Sequence, residues 1–385
     1  MKNKINTTLS DIEISGIRQF FNMISKYDDV VSLTIGQPDF ATPGHVKEAA
    51  INALNNDRTT YTHNAGIIEL RRAISCYVKE SFCLDYDPAD EIIVTVGASQ
   101  AIDITLRTII EPGDEVILPG PIYPGYEPLI KLAGATVKYV DTSNNQFKLT
   151  ADLLEDAITE KTKCVITPYP SNPTGVSLTE SELSDISQVL LNHQIFMIAD
   201  EIYSELVYDD SHTSIASFSE VRDHVIVING VSKSHSMTGF RIGYLLAPQW
   251  LAGQILKVHQ YNVSCAATPS QYAALEAIQN GRYDPAVMKQ SYGERREYVM
   301  KRLDRMGLEY VIPDGAFYIF PRIPSGSSTF ETAVELVEKA GVALVPGSAF
   351  SIYGEGYVRL SYAYSKETLK KGLDRLEQYL NTNNL

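Results

Sequence analysis

Between residues 91 and 246 seven short apolar runs recur: EIIVTV, EVILPG, TVKYVD, KCVITPYP, IFMIAD, HVIVIN and RIGYLLA. Between most of them lie longer segments of helical period, such as SQAIDITLRTII and TESELSDISQVLLNHQ. A strand that is apolar at nearly every position must be buried on both faces, so the alternation calls for a mainly parallel sheet covered by helices on each side. After RIGYLLA the texture turns to long helical stretches through about residue 306, followed by GAFYIFPRI, TAVELVEKAG, VALVPG, YVRLSYA and KETLKKGLDRLEQYL. The expected fold class is therefore α/β: a large domain with a mostly parallel seven-stranded sheet, plus a smaller α+β domain. The expected division assigns 36–275 to the large domain, and 1–35 with 276–385 to the small one.

The 385 residues are enough for two such domains, and 44% hydrophobic with 21% charged residues is ordinary for a globular protein. A formal net charge of −14 argues against nucleic acid or an anionic membrane as partner. A small anionic ligand would need a local basic pocket. Cys76, Cys83, Cys164 and Cys265 form no C-x-x-C pair and lie near no histidine cluster, so neither a metal site nor a disulfide framework is expected, and buried free thiols are. The first twenty residues carry no apolar signal region, and no apolar run reaches the roughly 20 residues of a membrane span. A soluble, cytoplasmic protein is the expectation.

Four strand ends carry the chemistry. EIIVTVGASQA leaves its strand through Gly97, Ala98 and Ser99 into a helical segment. Small residues there let helix N-terminal N–H groups approach an anion, although a βα turn with a serine cap explains them equally. YPSNPTG sets Asn172 in a loop stiffened by two prolines, which orients its amide as an ordinary proline-rich turn also would. IFMIADEIYSEL ends an apolar strand on Asp200, with Tyr203 three positions on. A buried carboxylate there is costly unless a cation partners it, and a helix cap or structural ion pair is the plain alternative. NGVSKSHSMTGFRIGY holds Lys233 between two serines, with Arg241 eight positions later. Desolvation or a neighbouring cation makes a lysine nucleophilic, while Ser232 and Arg241 together suit a phosphate. Each feature alone has a bland reading. Their joint occurrence in this order on strand ends of one sheet matches what pyridoxal 5'-phosphate requires: an anion cradle, a carboxylate for the ring nitrogen, donors to the ring oxygen, and a lysine that bonds the aldehyde carbon.

At these motifs the chain resembles the fold type I pyridoxal-phosphate enzymes of the class I/II aminotransferase family. The resemblance runs from SLTIGQPDF through YTHNAGIIELRRAI, GASQA, PGPIYPGY, YPSNPTG, ADEIYSEL and SKSHSMTGFRIGY to GAFYIFP and YVRLSYA. ISGIR, GPIYPGYEP and KSHSMTG are further similar to the bacterial N-acetyl-LL-diaminopimelate aminotransferase group. The resemblance implies that Lys233 bonds the cofactor and moves the proton, that Asp200 pairs with the ring nitrogen, and that Asn172 and Tyr203 hold the ring oxygen. It implies a phosphate seat of Ala98, Ser99, Ser232 and Arg241, and stacking by Tyr123. Arg359 would clamp the substrate carboxylate, with Gly36 letting the backbone approach it. Tyr61 would reach the phosphate of a neighbouring subunit, which implies a homodimer. Gly97 and Ala98 stand where some relatives have hydroxyls, so the cradle would rely on backbone N–H groups. Arg18 in ISGIR would either meet a distal substrate carboxylate or be a solvated helix residue.

The implied activity is transfer of an amino group between an amino acid, glutamate by resemblance, and a 2-oxo acid, with lysine and diaminopimelate biosynthesis as the setting. The alternatives are a C–S β-lyase on the same scaffold, or an aspartate- or aromatic-type aminotransferase. A DNA-binding regulator with an aminotransferase-like domain is disfavoured, since only about 30 residues precede SLTIGQPDF and the chain is acidic. A nicotinamide-dependent dehydrogenase would need a G-x-G-x-x-G turn after the first strand, which is absent.

Overall fold

The structure is a computed structural model and describes residues 4–324 and 327–383. The outermost residues of the expected small domain, 1–3 and 384–385, and its residues 325–326 lie outside the described residues. All seven apolar runs form strands of one sheet: β1 (Ile92–Thr95), β2 (Glu115–Gly120), β3 (Thr136–Asp141), β4 (Thr162–Thr167), β5 (Phe196–Asp200), β6 (Val225–Gly230) and β7 (Gly243–Leu246). Their spatial order is β1-β7-β6-β5-β4-β2-β3. Neighbours run parallel except where β7 pairs antiparallel with β1 and β6.

Successive side chains of a strand point to opposite faces. In β5, Ile198 packs into one core, with helix Ala98–Ile109, and Met197 and Ala199 into the other, with helices Ile68–Phe82 and Glu180–His193. The other central strands divide in the same way: Ile226 and Ile228 face the first core, Val225 and Val227 the second. Two cores explain why the runs are apolar throughout.

The C-terminal part adds a three-stranded sheet of Val345–Pro346, Val358–Ser361 and Tyr318–Ile319. Val31–Ser32 pairs in parallel with Val342–Ala343, tying the N-terminal segment to this part. VALVPG thus splits into two strands of different sheets. The helix read from TAVELVEKAG starts earlier, at Thr329, because Ser328 and Glu331 form a capping box in front of it.

Of the cysteines, only Cys164 is buried, which corrects the expectation of buried thiols. It lies in central β4, whereas Cys76 and Cys83 are exposed, away from the face that helix Ile68–Phe82 buries through Leu70, Ile74 and Val78. No described helix is long and apolar enough to cross a membrane.

Close backbone approach brings the functional strand ends together. A Cβ on Gly243 would lie 2.5 Å from the amide nitrogen of Ala98, and one on Gly230 would lie 2.8 Å from Cα of Gly243. Gly243→Ala forces backbone apart and is expected to destabilise the protein by about 1–3 kcal/mol, read as a lower urea midpoint. Gly253, within helix Gln249–Val263, has open space around its missing Cβ. Gly253→Ala should raise stability by about 0.5–1 kcal/mol in the same measurement.

Candidate active site

Because the parallel strands end at one level, the turns that follow them converge on a single cavity of about 390 Å³. Into it come Ala98 and Ser99 after β1, Tyr123 after β2, Asn172 after β4, and Asp200 at the end of β5 with Tyr203 beyond it. Ser232 and Lys233 follow β6, and Arg241 precedes β7. Gly36 and Arg359 close the cavity from the N-terminal segment and from strand Val358–Ser361. The expected site residues are thereby brought together, with two exceptions.

Arg18 does not line the cavity and is exposed. Helix Gly16–Ile24 turns Ile17 and Phe21 towards the cavity, one turn apart, and a residue next to Ile17 points about 100° away. Of the two readings given for Arg18, its place in this chain is that of an exposed helix residue. Tyr61 also lies outside the cavity of its own chain, with 86% of its surface exposed.

Asp200 is buried, and its partners within the protein are hydrogen-bond donors. Tyr126 Oη donates to Oδ2 at 2.7 Å and the Ile202 amide to Oδ1 at 3.3 Å. No described cation forms an ion pair with it. Burial pushes its carboxyl up to about 6, partly opposed by those two hydrogen bonds. A buried carboxylate with donors but no cation is suited to receive a positively charged N–H group from a ligand.

Lys233 Nζ donates to the Gly36 carbonyl at 2.6 Å. Burial, together with the nearby cations of Arg359 and Arg241, lowers its ammonium to about 8. Such an amine is within reach of its neutral, nucleophilic form near physiological pH.

Arg359 is buried over the ring of Tyr318, 4.5 Å from its centroid, and beside Phe350. Nη1 donates to Asn172 Oδ1 at 2.9 Å and Nη2 to the Thr34 carbonyl at 2.5 Å, which fixes the plane of the fork. Its Nε is buried without a hydrogen-bond partner. A guanidinium aimed this way, with neutral acceptors only, is a receptor for a planar anion such as a carboxylate.

Arg241 adopts a left-handed backbone, φ 54°, and Nη1 donates to the Thr238 carbonyl at 3.0 Å. A Cβ on Gly97 would collide with its guanidinium, so the glycine lets Arg241 lie against the start of helix Ala98–Ile109. That helix start keeps the amides of Ala98 and Ser99 free of intrahelical partners. Ser232 is buried beside them. Guanidinium, hydroxyls and helix amides together form an anion seat inside an acidic chain.

Three site residues escaped the sequence reading. Tyr126 bonds Asp200, Tyr318 bonds Tyr203 hydroxyl to hydroxyl at 2.8 Å, and Thr34 anchors Arg359. Tyr126 and Tyr318 both lie within motifs quoted above, PGPIYPGY and GAFYIFP, and a buried tyrosine near a strand-end carboxylate was the available signal.

Comparison with known proteins decides the family. The family model for aminotransferases of class I and II matches residues 28–376. The chain belongs to that family, and it is an aminotransferase. It is 58% identical to a probable N-acetyl-LL-diaminopimelate aminotransferase of Bacillus subtilis, over 99% of this chain and 96% of the relative. It is 43% identical to an aspartate aminotransferase of Pyrococcus abyssi, over 95% of each chain. A solved aromatic aminotransferase from Pyrococcus horikoshii superposes with a TM-score of 0.90 at 40% identity, covering 95% of this chain and 99% of that one. The seven-stranded, mostly parallel sheet of this aminotransferase is the architecture its relatives share.

The environment of Asp200 sets a pH signature. Its carboxyl moves from the ordinary 3.8 to about 6 on folding, so between these values the folded chain binds more protons than the unfolded one. Stability therefore falls as pH rises through that window, and the loss is complete above it. Asp200→Asn should stabilise the ligand-free aminotransferase by on the order of 1–3 kcal/mol near pH 7.5, with the gain vanishing below about pH 4. Urea unfolding checks this, and a variant less stable than the parent at the higher pH contradicts burial as the main influence on Asp200.

Proposed function

We propose that this aminotransferase works through pyridoxal 5'-phosphate held in the described cavity, moving an amino group from glutamate to a 2-oxo acid. The observation that carries the reading is a buried lysine of lowered pKa, Lys233, in one anion-receiving cavity with a buried carboxylate, Asp200, that forms no ion pair among the described residues. The residues fit the cofactor. Arg241, Ser232, Ser99 and the Ala98 amide suit its phosphate, Asp200 its protonated ring nitrogen, Asn172 and Tyr203 its ring oxygen, and Tyr123 its ring face.

When bound, the cofactor supplies an aldehyde carbon that takes up amines and a positively charged ring that draws electrons from the substrate Cα. Everything else falls to the chain. Asp200, as a carboxylate, holds the proton on the ring nitrogen. Lys233, whose amine lies in the cavity, would take the proton from the substrate Cα and return it to the carbon that the cofactor supplies. An amine near neutrality does both halves of that transfer efficiently. Arg359 holds the substrate carboxylate and so orients the Cα–H bond, with Asn172 and Thr34 keeping its fork in plane. Gly36 offers its carbonyl to Lys233 and leaves room beside the Tyr318 hydroxyl, which a Cβ would approach to 3.1 Å.

The similarity to the Bacillus subtilis relative supports an acceptor that is the 2-oxo counterpart of N-acetyl-LL-diaminopimelate, in lysine and diaminopimelate biosynthesis. The exposure of Tyr61 supports a homodimer in which that residue reaches the neighbouring subunit's phosphate seat.

Single amino acids mixed with loaded enzyme should convert the cofactor absorbance to that of its amine form, glutamate among the most effective. Release of pyruvate and ammonia without that conversion would instead mark a β-lyase. Borohydride should fix the cofactor on Lys233, and fixation persisting in Lys233→Ala would overturn the assignment. Arg359→Ala should cost about 2–5 kcal/mol in kcat/KM for amino acids, since it strips the substrate carboxylate of its buried partner.

A further inference from the structure

The strand that delivers Asp200 into the cavity turns the next residue, Glu201, to the opposite face. Glu201 is 3% exposed, so a second carboxylate is buried directly behind the first. Its Oε1 accepts from Ser214 Oγ at 2.7 Å, and Ser214 is fully buried. Its Oε2 lies 3.1 Å from His212 Nε2, within ion-pair distance but outside hydrogen-bond geometry, and neither atom has a hydrogen-bond partner among the described residues. The His212 side chain is 8% exposed and packs edge-on against Phe82. Both groups line a small pocket of about 20 Å³, room for a single water molecule.

None of these residues lines the active-site cavity, yet Glu201 directly follows Asp200, which does. Asp200 is faced on its own side by Tyr126, Tyr123, Tyr203 and Lys233, and from behind by Glu201, whose charge pushes the Asp200 carboxyl upwards. Glu201 is faced in turn by His212, Ser214 and the hydroxyls of Tyr86 and Tyr244. Arg222 sits over the Tyr86 ring, but its guanidinium is paired with Glu91. Two adjacent anions in a dry interior oppose each other's ionisation unless a cation offsets one of them. His212 is the group in contact with Glu201 that is able to carry that charge.

We propose that His212 and Glu201 form a buried ion pair that keeps Asp200 ionised, so that His212 is a positioning residue for the active site although it never contacts a ligand. With Glu201 neutralised, Asp200 can hold its charge and the proton of a ring nitrogen. With Glu201 unpaired, Asp200 retains its own proton and loses that ability. The proposal rests on the reading of Asp200 as partner of the ring nitrogen, and its test is separable from that reading.

The cofactor-free protein gives the primary measurement. The stability difference between any background and the same background carrying Asp200→Asn, followed by urea unfolding from about pH 4 to about pH 8, reports the titration of Asp200. His212→Asn, polar but unable to carry charge, should move the midpoint of that titration up by about one pH unit. Adding Glu201→Gln removes the offending anion and should return the midpoint to its original position, which loss of packing at His212 would not do. An unmoved midpoint in His212→Asn, or no return in the double variant, overturns the proposal. Circular dichroism verifies folding, and His212→Gln takes the same measurements if the asparagine variant does not fold. Borohydride fixation at Lys233 is scored separately: fixation with an unmoved Asp200 midpoint sinks this proposal alone, whereas a moved midpoint without fixation sinks the cofactor reading alone.

Discussion

Burial of β5 on both faces is the constraint on which the rest of the molecule depends. Ile198 faces one core and Met197 and Ala199 the other, so no position along the strand is free for a polar side chain until the strand ends. At that end the chain places two carboxylates in succession, each on a different face. The apolar strand holds them rigidly where water is scarce, and a carboxylate in such a place must find donors or stay protonated. Tyr126 serves Asp200, and Ser214 serves Glu201. Neighbouring strands end at the same level, which is why the helix start at Ala98, the Asn172 loop and the Lys233 turn face Asp200 across one cavity.

Inside that cavity the ligand-free charges are in tension. Lys233, Arg241 and Arg359 bring three basic groups, and Asp200 is the carboxylate among the lining residues. Burial drives both Lys233 and Asp200 towards their neutral forms. Arg359 remains a cation surrounded by neutral acceptors and aromatic rings. A ligand carrying a phosphate, a carboxylate and a protonated ring nitrogen would answer each of these groups with its opposite.

Relatives as different in name as aspartate, aromatic and N-acetyl-LL-diaminopimelate aminotransferases share this chain's architecture. The groups that do the chemistry sit on strand ends and their turns, which the sheet holds in place. The wall that differs in kind is the one formed by helix Gly16–Ile24, which presents Ile17 and Phe21.

Much of this was legible in the residues. The seven strands followed from apolar runs of strand length, because a two-sided sheet leaves no other reading of them, and the order of motifs named the family before any coordinates. Asn172, Asp200, Lys233 and Arg241 stood out because each is an odd residue to place at the end of an apolar strand or beside a tight turn, whereas Arg359 was singled out by the family resemblance. Other features depended on contacts between segments far apart in the chain. That Asp200 is served by Tyr126, 74 residues away, and Lys233 by the Gly36 carbonyl, 197 residues away, follows from how helices and loops pack over the sheet. Arg18 looked as suited to the site as Ile17 in the sequence, and the rotation of one helix about its axis turned it outwards. Local periodicity determines which elements form and which residues lie at their ends. Only tertiary packing decides which of those residues touch, because charge, burial and hydrogen bonding are properties of neighbours in space.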